Sequence, residues 1–411
     1  MLSVACNTAN KPAENSSNIE ATSPVAEWDR ATEIIMHTPG EELFNGAIHP
    51  LAALFEYYFD VDLAAAEHRN YIAMLEANGI EVHTVKDILH NAPIEHLREY
   101  AKSALVYDYL TNDEDLKAAD ESYRIATIDQ MSKNDLIRCI LLQPTVRLWD
   151  TDNNTGIAAQ YIQSPLFNLY FTRDQSISTP KGHIICNMNS PQRASEVKLI
   201  EFCYRELGIE PILTISGEGR LEGGDYIPAG DLAFIGCGMR TNIEAVEQMM
   251  DADAFGCSRV AVVKDRKWWQ MQMHLDTYFN IIDRDLCTLV ESRYKATADD
   301  EEWVTVDIYQ RADEQSPYAL TESDIPFVEF LTREGYAIIP ISEEDELHYA
   351  NNYLTIAPRH IMAVANQSEA LVESFKQHNV VVEWVELENL IKGYGAAHCM
   401  TQVIRRAPVV E

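Results

Sequence analysis

One local pattern occurs four times along this chain: a helix-favouring segment, a turn with glycine or asparagine, and a short apolar run rich in β-branched residues. Glycine or asparagine at a helix exit supplies the left-handed residue that ends a helix, and β-branched residues favour a strand. Such repetition indicates a closed array of α/β modules, with strands near the axis and helices outside. A doubly wound sheet is the alternative, but it does not require such similar units. The four helix-to-strand segments cover residues 64–85, 195–215, 333–341 and 368–385.

Between residues 86 and 165 the repeated pattern gives way to charged residues interspersed among apolar ones. Stretches such as Ile94 to Leu105 and Asp115 to Leu142 have the spacing of helices. We therefore expect a helical insertion in the first repeat, at about 86–165. In the second repeat, Ser195 is the expected N-cap of the helix that runs through Leu207.

The charge balance limits the partners of this protein. Its 411 residues are 46% apolar, enough for a large core, and carry a net charge of −33 from 32 basic and 65 acidic residues. That charge argues against binding to nucleic acid or to an anionic membrane, which need basic surface. It would attract a cationic small substrate, although an acidic solvated surface is the alternative for most of the charges. The eight cysteines lack zinc-type spacing, and no apolar run of about 18 residues predicts a membrane span.

The first 27 residues form a segment of different composition. Leu2 to Cys6, followed by an Asn/Ser/Thr/Pro-rich stretch, resembles a lipoprotein cleavage site without the apolar run that should precede it. We expect residues 1–27 to be a flexible tail and the protein to be cytoplasmic. The alternative is an envelope lipoprotein anchored through Cys6, if the true start lies upstream.

A candidate nucleophile lies in the run Gly395-Ala396-Ala397-His398-Cys399-Met400-Thr401, where small neighbours leave the sulfur accessible. An isolated cysteine is more often an inert apolar residue. Three upstream motifs strengthen the case that Cys399 is catalytic. Each motif also has an ordinary structural explanation, which is, in turn, a surface aspartate, a tight turn and a structural histidine. They are Phe171-Thr172-Arg173-Asp174, preceded by an apparent aromatic strand over 166–171; Leu221-Glu222-Gly223-Gly224-Asp225; and His274-Leu275-Asp276, whose polar pair would share one side of a strand.

Together these residue types suit one substrate class. A planar guanidinium needs carboxylates that accept its N–H groups in a fork. Its carbon must then be attacked by a positioned thiolate, and a histidine must protonate the departing ammonia and activate water. Asp174, Asp276, Cys399 and His274 supply that set of groups.

From Ile34 to Arg406 the chain resembles the arginine deiminases of the pentein superfamily. The resemblance rests on Met36-His37-Thr38-Pro39-Gly40, the three motifs above, Asn351-Asn352 with Ile356-Ala357-Pro358, and His398-Cys399-Met400-Thr401, in family order. It implies a five-bladed α/β propeller over residues 28–411 with a helical insertion. It also implies hydrolysis of L-arginine to L-citrulline and ammonia through a covalent cysteine-thiouronium intermediate. No metal and no organic cofactor are expected. The protein is expected to form a homodimer or a higher homo-oligomer.

The resemblance also implies a role for each matching residue. Cys399 attacks, His274 serves as general acid and then general base, and Glu222 orients His274. The remaining residues hold the substrate: Asp174 and Asp276 at the guanidinium nitrogens, Arg193 and Arg240 at the α-carboxylate, with Asn168 and Phe171 nearby. Asp225 is expected either to contact the substrate or to play a structural part.

The sequence departs from the family at Tyr394, near a position where many members have an arginine on a mobile loop. Met400-Thr401-Gln402 is reminiscent of agmatine deiminases, but Arg193 and Arg240 argue against a substrate without a carboxylate, because buried guanidinium groups need an anion. The open alternatives are an arginine dihydrolase, a citrulline hydrolase, an agmatine deiminase, or a non-catalytic arginine-binding propeller. A zinc site on His274 and cysteines lacks ligand spacing.

Overall fold

A computed structural model describes residues 23–153 and 155–409. Most of the expected tail, including Cys6, lies outside the described residues. The last residues of that segment lie against the fold, because Ala26 forms a β-bridge with Ala229 and the backbone N–H of Glu27 donates to Pro228 O at 2.8 Å. No helix in the described ranges is long and apolar enough to cross a membrane.

The described residues form a mixed α/β structure. The strands, in chain order, are β1 (Arg30–Met36), β2 (Glu81–Thr84), β3 (Val106–Tyr109), β4 (Pro144–Asp150), β5 (Ile157–Gln163), β6 (Ser176–Thr179), β7 (Gly182–Ile185), β8 (Leu213–Thr214), β9 (Tyr226–Ala229), β10 (Leu232–Cys237), β11 (Arg259–Asp265), β12 (Phe279–Asp283), β13 (Leu286–Val290), β14 (Val304–Gln310), β15 (Ala319–Pro326), β16 (Ala337–Ile341), β17 (Leu354–Ala357), β18 (His360–Val364), β19 (Val381–Val385) and β20 (Gln402–Ala407). The α-helices are α1 (Glu41–Ala47), α2 (Val61–Ala77), α3 (Val85–Asn91), α4 (Ile94–Ala104), α5 (Glu114–Gln130), α6 (Lys133–Leu142), α7 (Ala194–Glu206), α8 (Ile243–Asp251), α9 (Leu275–Tyr278), α10 (Glu291–Lys295), α11 (Phe327–Arg333), α12 (Glu343–Glu346) and α13 (Glu369–Gln377).

In five sheets a central strand is antiparallel to one neighbour and parallel to another that follows it in the chain. In a sixth sheet, β3-β4-β5, the parallel neighbour β3 precedes the central strand β4. Each parallel neighbour follows a helix. Within the described ranges no sheet closes on itself. The five sheets are β2-β1-β20, β6-β7-β8, β9-β10-β11 (extended by β14 and β15), β12-β13-β16 and β17-β18-β19.

The four predicted helix-to-strand segments are present as α2–β2, α7–β8, α11–β16 and α13–β19. A fifth, α8–β11, was missed. Its helix does not end at a glycine or asparagine followed at once by a strand; residues 252–258 intervene, and Asp253 and Gly256 take left-handed backbone angles (φ 51° and 73°). The expected pattern was therefore too strict about the length of the turn.

Three local predictions were wrong. Residues 166–171 are not a strand but buried turns, in which Leu169 N donates to Leu166 O and Phe171 N to Asn168 O. Their apolar run serves burial rather than sheet pairing. His274 is the N-cap of α9 and does not lie on a strand. Ser195 lies inside α7, which begins at Ala194 because a 3₁₀ turn over Pro191–Arg193 leads directly into it.

The region between β2 and β6 contains more than helices. Helices α3 to α6 are joined by a three-stranded sheet, β3-β4-β5, that the sequence analysis did not anticipate. The predicted helix from Asp115 to Leu142 is broken at Ser132, whose hydroxyl accepts from Asp135 N and starts α6. Apolar side chains of this region pack in one cluster with α7, including Leu97, Leu136 and Leu199.

Candidate active site

The turn that carries Cys399 immediately precedes β20 and is fixed by one buried side chain. Asn352 Oδ1 accepts hydrogen bonds from the backbone N–H groups of Ala396 and Cys399, at 3.0 and 3.1 Å. Its amide nitrogen donates to the backbone oxygen of Asp276 at 3.1 Å. One asparagine therefore connects the cysteine turn to the helix that follows His274.

The cysteine turn also lies close to an aromatic ring, and this requires glycine. A Cβ atom on Gly395 would lie 2.7 Å from Phe171 Cε1 and 3.1 Å from Cys399 Cβ. Both distances are shorter than an ordinary carbon contact. Gly395 thus allows the backbone to pass between the ring and the nucleophile.

His274 is held between two carboxylates. Its Nε2 lies 2.8 Å from Glu222 Oε2, and its Nδ1 lies 3.7 Å from Asp174 Oδ1. Burial opposes protonation, but the charges of Asp174 and the hydrogen bond to Glu222 raise the pKa of His274 to about 9. Burial likewise opposes ionisation of Glu222, yet His274 and Arg240 lower the pKa of Glu222 to about 2. The imidazole is therefore cationic at neutral pH.

Cys399 is buried beside a second carboxylate. Its Sγ lies 3.5 Å from Asp276 Oδ2, and the same oxygen lies 2.7 Å from His398 Nδ1. Burial, and then the charges of Asp276 and Asp174, raise the pKa of the Cys399 thiol well above its ordinary value. Burial opposes ionisation of Asp276, but His398 keeps the pKa of that carboxyl below its usual value. Burial and these two carboxylates thus favour the protonated thiol of Cys399.

Two carboxylate oxygens at this site have no hydrogen-bond partner among the described residues, although both are buried. They are Asp174 Oδ1 and Asp276 Oδ1. Leaving a buried charged acceptor unpaired is costly, so such atoms mark a place where a ligand with N–H donors is to bind.

A pocket opens over these groups, with an empty volume of about 310 Å³ that includes open solvent. Most of the predicted site residues line it. Glu222, Asp225 and Asp276 are not among the residues that line it. The lining residues are Leu54, Asn168, Phe171, Asp174, Arg193, Arg240, Gln270, Met273, His274, Gly393, Tyr394 and Cys399.

The two arginines of the pocket differ in their contacts. Arg193 donates to Asp174 Oδ2 at 2.6 Å and to Glu196 Oε2 at 3.0 Å, and its third nitrogen faces two backbone oxygens at 3.3 Å. Arg240 donates to Gln270 Oε1 at 3.1 Å and lies 3.5 Å from Glu222 Oε1, while its Nε has no partner among the described residues. Each of the three nitrogens of Arg193 therefore has a protein partner, whereas Arg240 Nε has none among the described residues.

Both carboxylate oxygens of Asp225 accept hydrogen bonds from other residues of the protein. Thr241 Oγ1 donates to Oδ2 at 2.6 Å, and the backbone N–H of Leu275 donates to Oδ1 at 2.9 Å. Burial raises the pKa of Asp225 to about 7. The structure thus places Asp225 under the start of α9, next to His274, rather than in the pocket lining.

Several contributors were not identified as site residues from the sequence. Asn352 was noticed only as part of a motif, and its two acceptor bonds to the cysteine turn could not be seen locally. Glu196, the second partner of Arg193, has a sequence signal in its i,i+3 spacing on one helix face. Gln270 and Leu54 had no signal, because each reaches the pocket from a different irregular segment.

Asp174, Glu222 and His274 also have the spacing of a cation site, since one donor atom from each lies within 4.8 Å of the others. The contacts argue against this use. His274 Nε2 already bonds Glu222, and Arg193 and Arg240 place positive charge against the two carboxylates. Cys399 does not belong to this group, so the zinc alternative gains no cysteine ligand here.

Cys399 and His274 line one pocket, close to buried carboxylate oxygens that are open to N–H donors, and this arrangement defines an enzyme site suited to a cationic substrate. A family model described as arginine deiminase matches residues 52–406, and this chain belongs to the arginine deiminase family. An arginine deiminase of Halobacterium salinarum is 26% identical over 490 aligned residues, covering 96% of this chain and 98% of its own. One from Metamycoplasma arthritidis is 24% identical, covering 92% and 94%.

The fold is similar to those of solved pentein enzymes. DDAH from Pseudomonas aeruginosa, in complex with citrulline, superposes with a TM-score of 0.54 at 16% identity, covering 91% of this chain and 99% of its own. The N-terminal domain of the cyanobacterial arginine dihydrolase ArgZ gives a TM-score of 0.54 at 12% identity, covering 90% and 97%. At these identities the likeness establishes the mixed α/β fold.

Proposed function

We propose that this protein hydrolyses L-arginine to L-citrulline and ammonia, with Cys399 as nucleophile. The observation that carries the proposal is a pair of buried carboxylate oxygens, Asp174 Oδ1 and Asp276 Oδ1, that have no hydrogen-bond partner among the described residues. The first lies 3.7 Å from His274 Nδ1, and the other oxygen of Asp276 lies 3.5 Å from Cys399 Sγ. A guanidinium group supplies the N–H donors and the positive charge that this arrangement needs. Membership of the arginine deiminase family supports the same reaction.

Binding of the substrate changes the charge balance at Cys399. Burial, and then the charges of Asp276 and Asp174, raise the pKa of the Cys399 thiol and favour its protonated form. A guanidinium cation bound between them offsets both charges, so the pKa of Cys399 falls when substrate is present. We infer that the thiolate forms mainly in the substrate complex, where its target carbon is already in place.

The chemical steps then follow from the groups present. Sγ attacks the guanidinium carbon and forms a C–S bond, giving a tetrahedral adduct. The cationic His274 donates a proton to one terminal nitrogen, the C–N bond breaks, and ammonia leaves a covalent thiouronium. His274, now neutral, takes a proton from water, which adds to the same carbon. The hydroxyl proton of this second adduct passes to the sulfur as the C–S bond breaks, which releases citrulline and restores the Cys399 thiol, with His274 again cationic. The proton that the thiol lost before the attack goes to solvent, because His274 is already protonated at that stage.

Arg240 is the better candidate to bind the α-carboxylate, because its Nε has no partner among the described residues, whereas every nitrogen of Arg193 has one. We assign Arg193 mainly to holding Asp174, with a carboxylate contact only if substrate displaces one of its present partners. Asn168 and Phe171 line the same pocket and would contact the aliphatic part of the substrate. Asp225 would position the backbone before His274 through Leu275 N.

We also propose that the five similar sheets are five blades of one propeller covering residues 28–411, with residues 86–165 as an insertion. The pairing of β1 with both β2 and β20 supports this, since it joins the two ends of the array. A cytoplasmic location is supported by free thiols at every described cysteine. Light scattering of the purified protein tests the expected homo-oligomer. Fractionation of cells tests the cytoplasmic location.

Mass spectrometry of the products formed from L-arginine, agmatine and citrulline tests the reaction. Citrulline from arginine alone is the expected outcome, and Cys399→Ala is expected to abolish it. Cys287→Ala is the matched control, because Cys287 is an equally buried free cysteine in a different part of the core. Turnover by the Cys399 variant at the wild-type rate would contradict the mechanism.

The same experiment separates the alternatives. Ornithine as the product from arginine would indicate a dihydrolase, and ornithine from citrulline a citrulline hydrolase. Turnover of agmatine, which has no α-carboxylate, would show that the reaction does not require an arginine that binds a carboxylate. Binding of arginine without any product would favour a non-catalytic propeller.

A further inference from the structure

One wall of the pocket belongs to residues 389–395, the wall segment, which leads into the cysteine turn. Gly393 and Tyr394 of this segment line the pocket. The segment begins as a 3₁₀ turn over Leu390–Gly393, and Tyr394 then takes left-handed backbone angles, with φ at 65°. Such angles are unfavourable for a residue with a side chain and persist where surrounding contacts enforce them. The shape of this wall therefore depends on what holds the segment.

A carboxylate from a distant part of the chain holds the start of the wall segment. Glu67 lies on α2, 322 residues before Asn389. Its Oε1 accepts from the side-chain amide of Asn389 at 2.7 Å, and its Oε2 accepts from the backbone N–H of Leu390 at 3.1 Å. The backbone nitrogen of Asn389 lies 3.0 Å from both oxygens. The 3₁₀ turn is therefore capped by a side chain from outside the segment.

The same helix is also fixed to the cysteine turn. Tyr71 lies one helical turn after Glu67, on the same face of α2. Its side chain is buried, and its hydroxyl donates to the backbone oxygen of Ala397 at 3.1 Å. Helix α2 thus contacts the wall segment through Glu67 and the turn that carries Cys399 through Tyr71. The position of the wall relative to the thiol therefore depends on two side chains of one helix.

The other contacts of the wall segment constrain its direction less. The backbone N–H of Glu56 donates to Lys392 O at 2.7 Å, in the middle of the segment. Asn352 accepts from the backbone N–H of Ala396, just beyond its end. The buried side chain of Leu390 resists detachment, but apolar contact is non-directional and does not orient the backbone. Glu67 is thus the group that sets the direction in which the segment starts.

We propose that Glu67 is a positioning residue for the reaction: by fixing the start of the wall segment, it holds Tyr394 at the pocket and sets the distance of the wall from Cys399. Substrate binding is the step that Glu67 affects most, because Asn352 holds the cysteine turn separately. This consequence rests on the proposed function. The support that Glu67 gives to the wall segment does not, because it concerns the free enzyme.

Hydrogen exchange of the free enzyme tests this support directly. Glu67→Ala is expected to speed amide exchange in a peptic peptide that begins after Leu390, by about tenfold or more, as for the loss of a hydrogen bond to a carboxylate. The amides that donate to Glu67 belong to Asn389 and Leu390, outside this peptide. Faster exchange there therefore means that the whole wall segment has loosened, and unchanged exchange overturns the proposal.

Two further variants separate this role from a general loss of stability. Asp60→Ala removes the N-cap carboxylate of the same helix, which accepts from Leu63 N at 2.9 Å. It should destabilise α2 and leave exchange in the wall segment unchanged. Glu67→Gln retains one acceptor oxygen, so it is expected to recover part of the protection that Glu67→Ala loses. Equal loosening of the wall segment in Asp60→Ala and Glu67→Ala refutes a specific role for Glu67.

Steady-state turnover of arginine tests the consequence for the site. Glu67→Ala is expected to raise KM about tenfold, because the wall lines the pocket in which substrate binds. The value of kcat should fall by less than that, since Asn352 still holds the cysteine turn. A fall in kcat at constant KM would show that Glu67 affects only the fraction of folded enzyme, and would refute the proposal.

A double variant relates the effect on KM to Tyr394. In Tyr394→Gly, the backbone adopts the left-handed angles without strain, and the side chain that Glu67 holds at the pocket is absent. Glu67→Ala is therefore expected to change KM little in that background. An undiminished rise in KM would refute Tyr394 as the group that Glu67 positions.

Failure of the proposed function and failure of this proposal give different results. If the wild-type protein does not turn over arginine, the proposed function fails, while hydrogen exchange still decides the role of Glu67. If arginine is turned over and neither exchange nor KM changes in Glu67→Ala, only the role of Glu67 fails.

Discussion

Asn352 offers the sharpest test of how the nucleophile is held. Its amide makes three buried hydrogen bonds, to Ala396 N, Cys399 N and Asp276 O. Asn352→Ala leaves two backbone N–H groups of the cysteine turn without an acceptor. Each buried unsatisfied group costs about 1–3 kcal/mol, so the turn loses about 2–6 kcal/mol of support. We expect it to relax away from its present position.

A displacement of about 1 Å at a reacting atom can cost about a hundredfold in rate. We therefore expect kcat for arginine to fall about a hundredfold in Asn352→Ala, while KM changes little because Arg240 is untouched. Steady-state citrulline production measures both constants, and thermal unfolding reports the loss of support.

The matched control is Asn242→Ala. Asn242 has the same bonding pattern, with Oδ1 accepting from Arg220 N and Ala245 N and the amide nitrogen donating to Glu218 O, but at the start of α8. It should lose stability and retain most of its kcat. Equal losses of kcat in the two variants would show that Asn352 contributes to folding alone.

Three further outcomes are expected. The carboxylate partners of His274 raise its pKa from 6.5 to about 9, so the proton on His274 stabilises the folded protein. This stabilisation is complete below about pH 6.5 and is lost as the pH rises through 9. The Tm advantage of wild type over His274→Asn should therefore shrink between these values; a constant difference would contradict the raised pKa. Gly395→Ala should lower kcat about tenfold or more, because its Cβ would press on Phe171 and Cys399, and kinetics equal to wild type would contradict the close contact. Activity should survive exhaustive dialysis against EDTA, whereas loss of activity that zinc restores would favour a metal at His274.

The sequence predicted those parts of the fold that depend on neighbouring residues. The helix-to-strand units were recognisable because glycine or asparagine ends each helix and β-branched residues follow at once. The unit α8–β11 escaped because its turn, residues 252–258, takes a longer path. The sheet β3-β4-β5 escaped for a different reason: its strands are partly exposed along most of their length, so they lack a clear alternation of apolar and polar residues.

The candidate site also has parts that the local sequence predicts and parts that it does not. Cys399, His274 and Asp174 belong to recognisable motifs, and the structure brings them to one pocket. The hydrogen bonds of the carboxylate oxygens at the site depend on partners that are distant in the sequence. Asp225 is bonded by Thr241 and by the backbone of Leu275, contacts that no local pattern specifies.

The pairing of β1 with β20 has a consequence for how this enzyme comes into being. These are the first and last strands among the described residues, and the cysteine turn immediately precedes β20. A nascent chain emerging from the ribosome already contains His274 and its carboxylates long before the nucleophile is translated. Closing so large a loop is entropically costly and comes late in folding. If Cys399 is the nucleophile, as proposed, catalytic competence is withheld until synthesis has passed β20, and we expect a chain truncated before that point to be inactive.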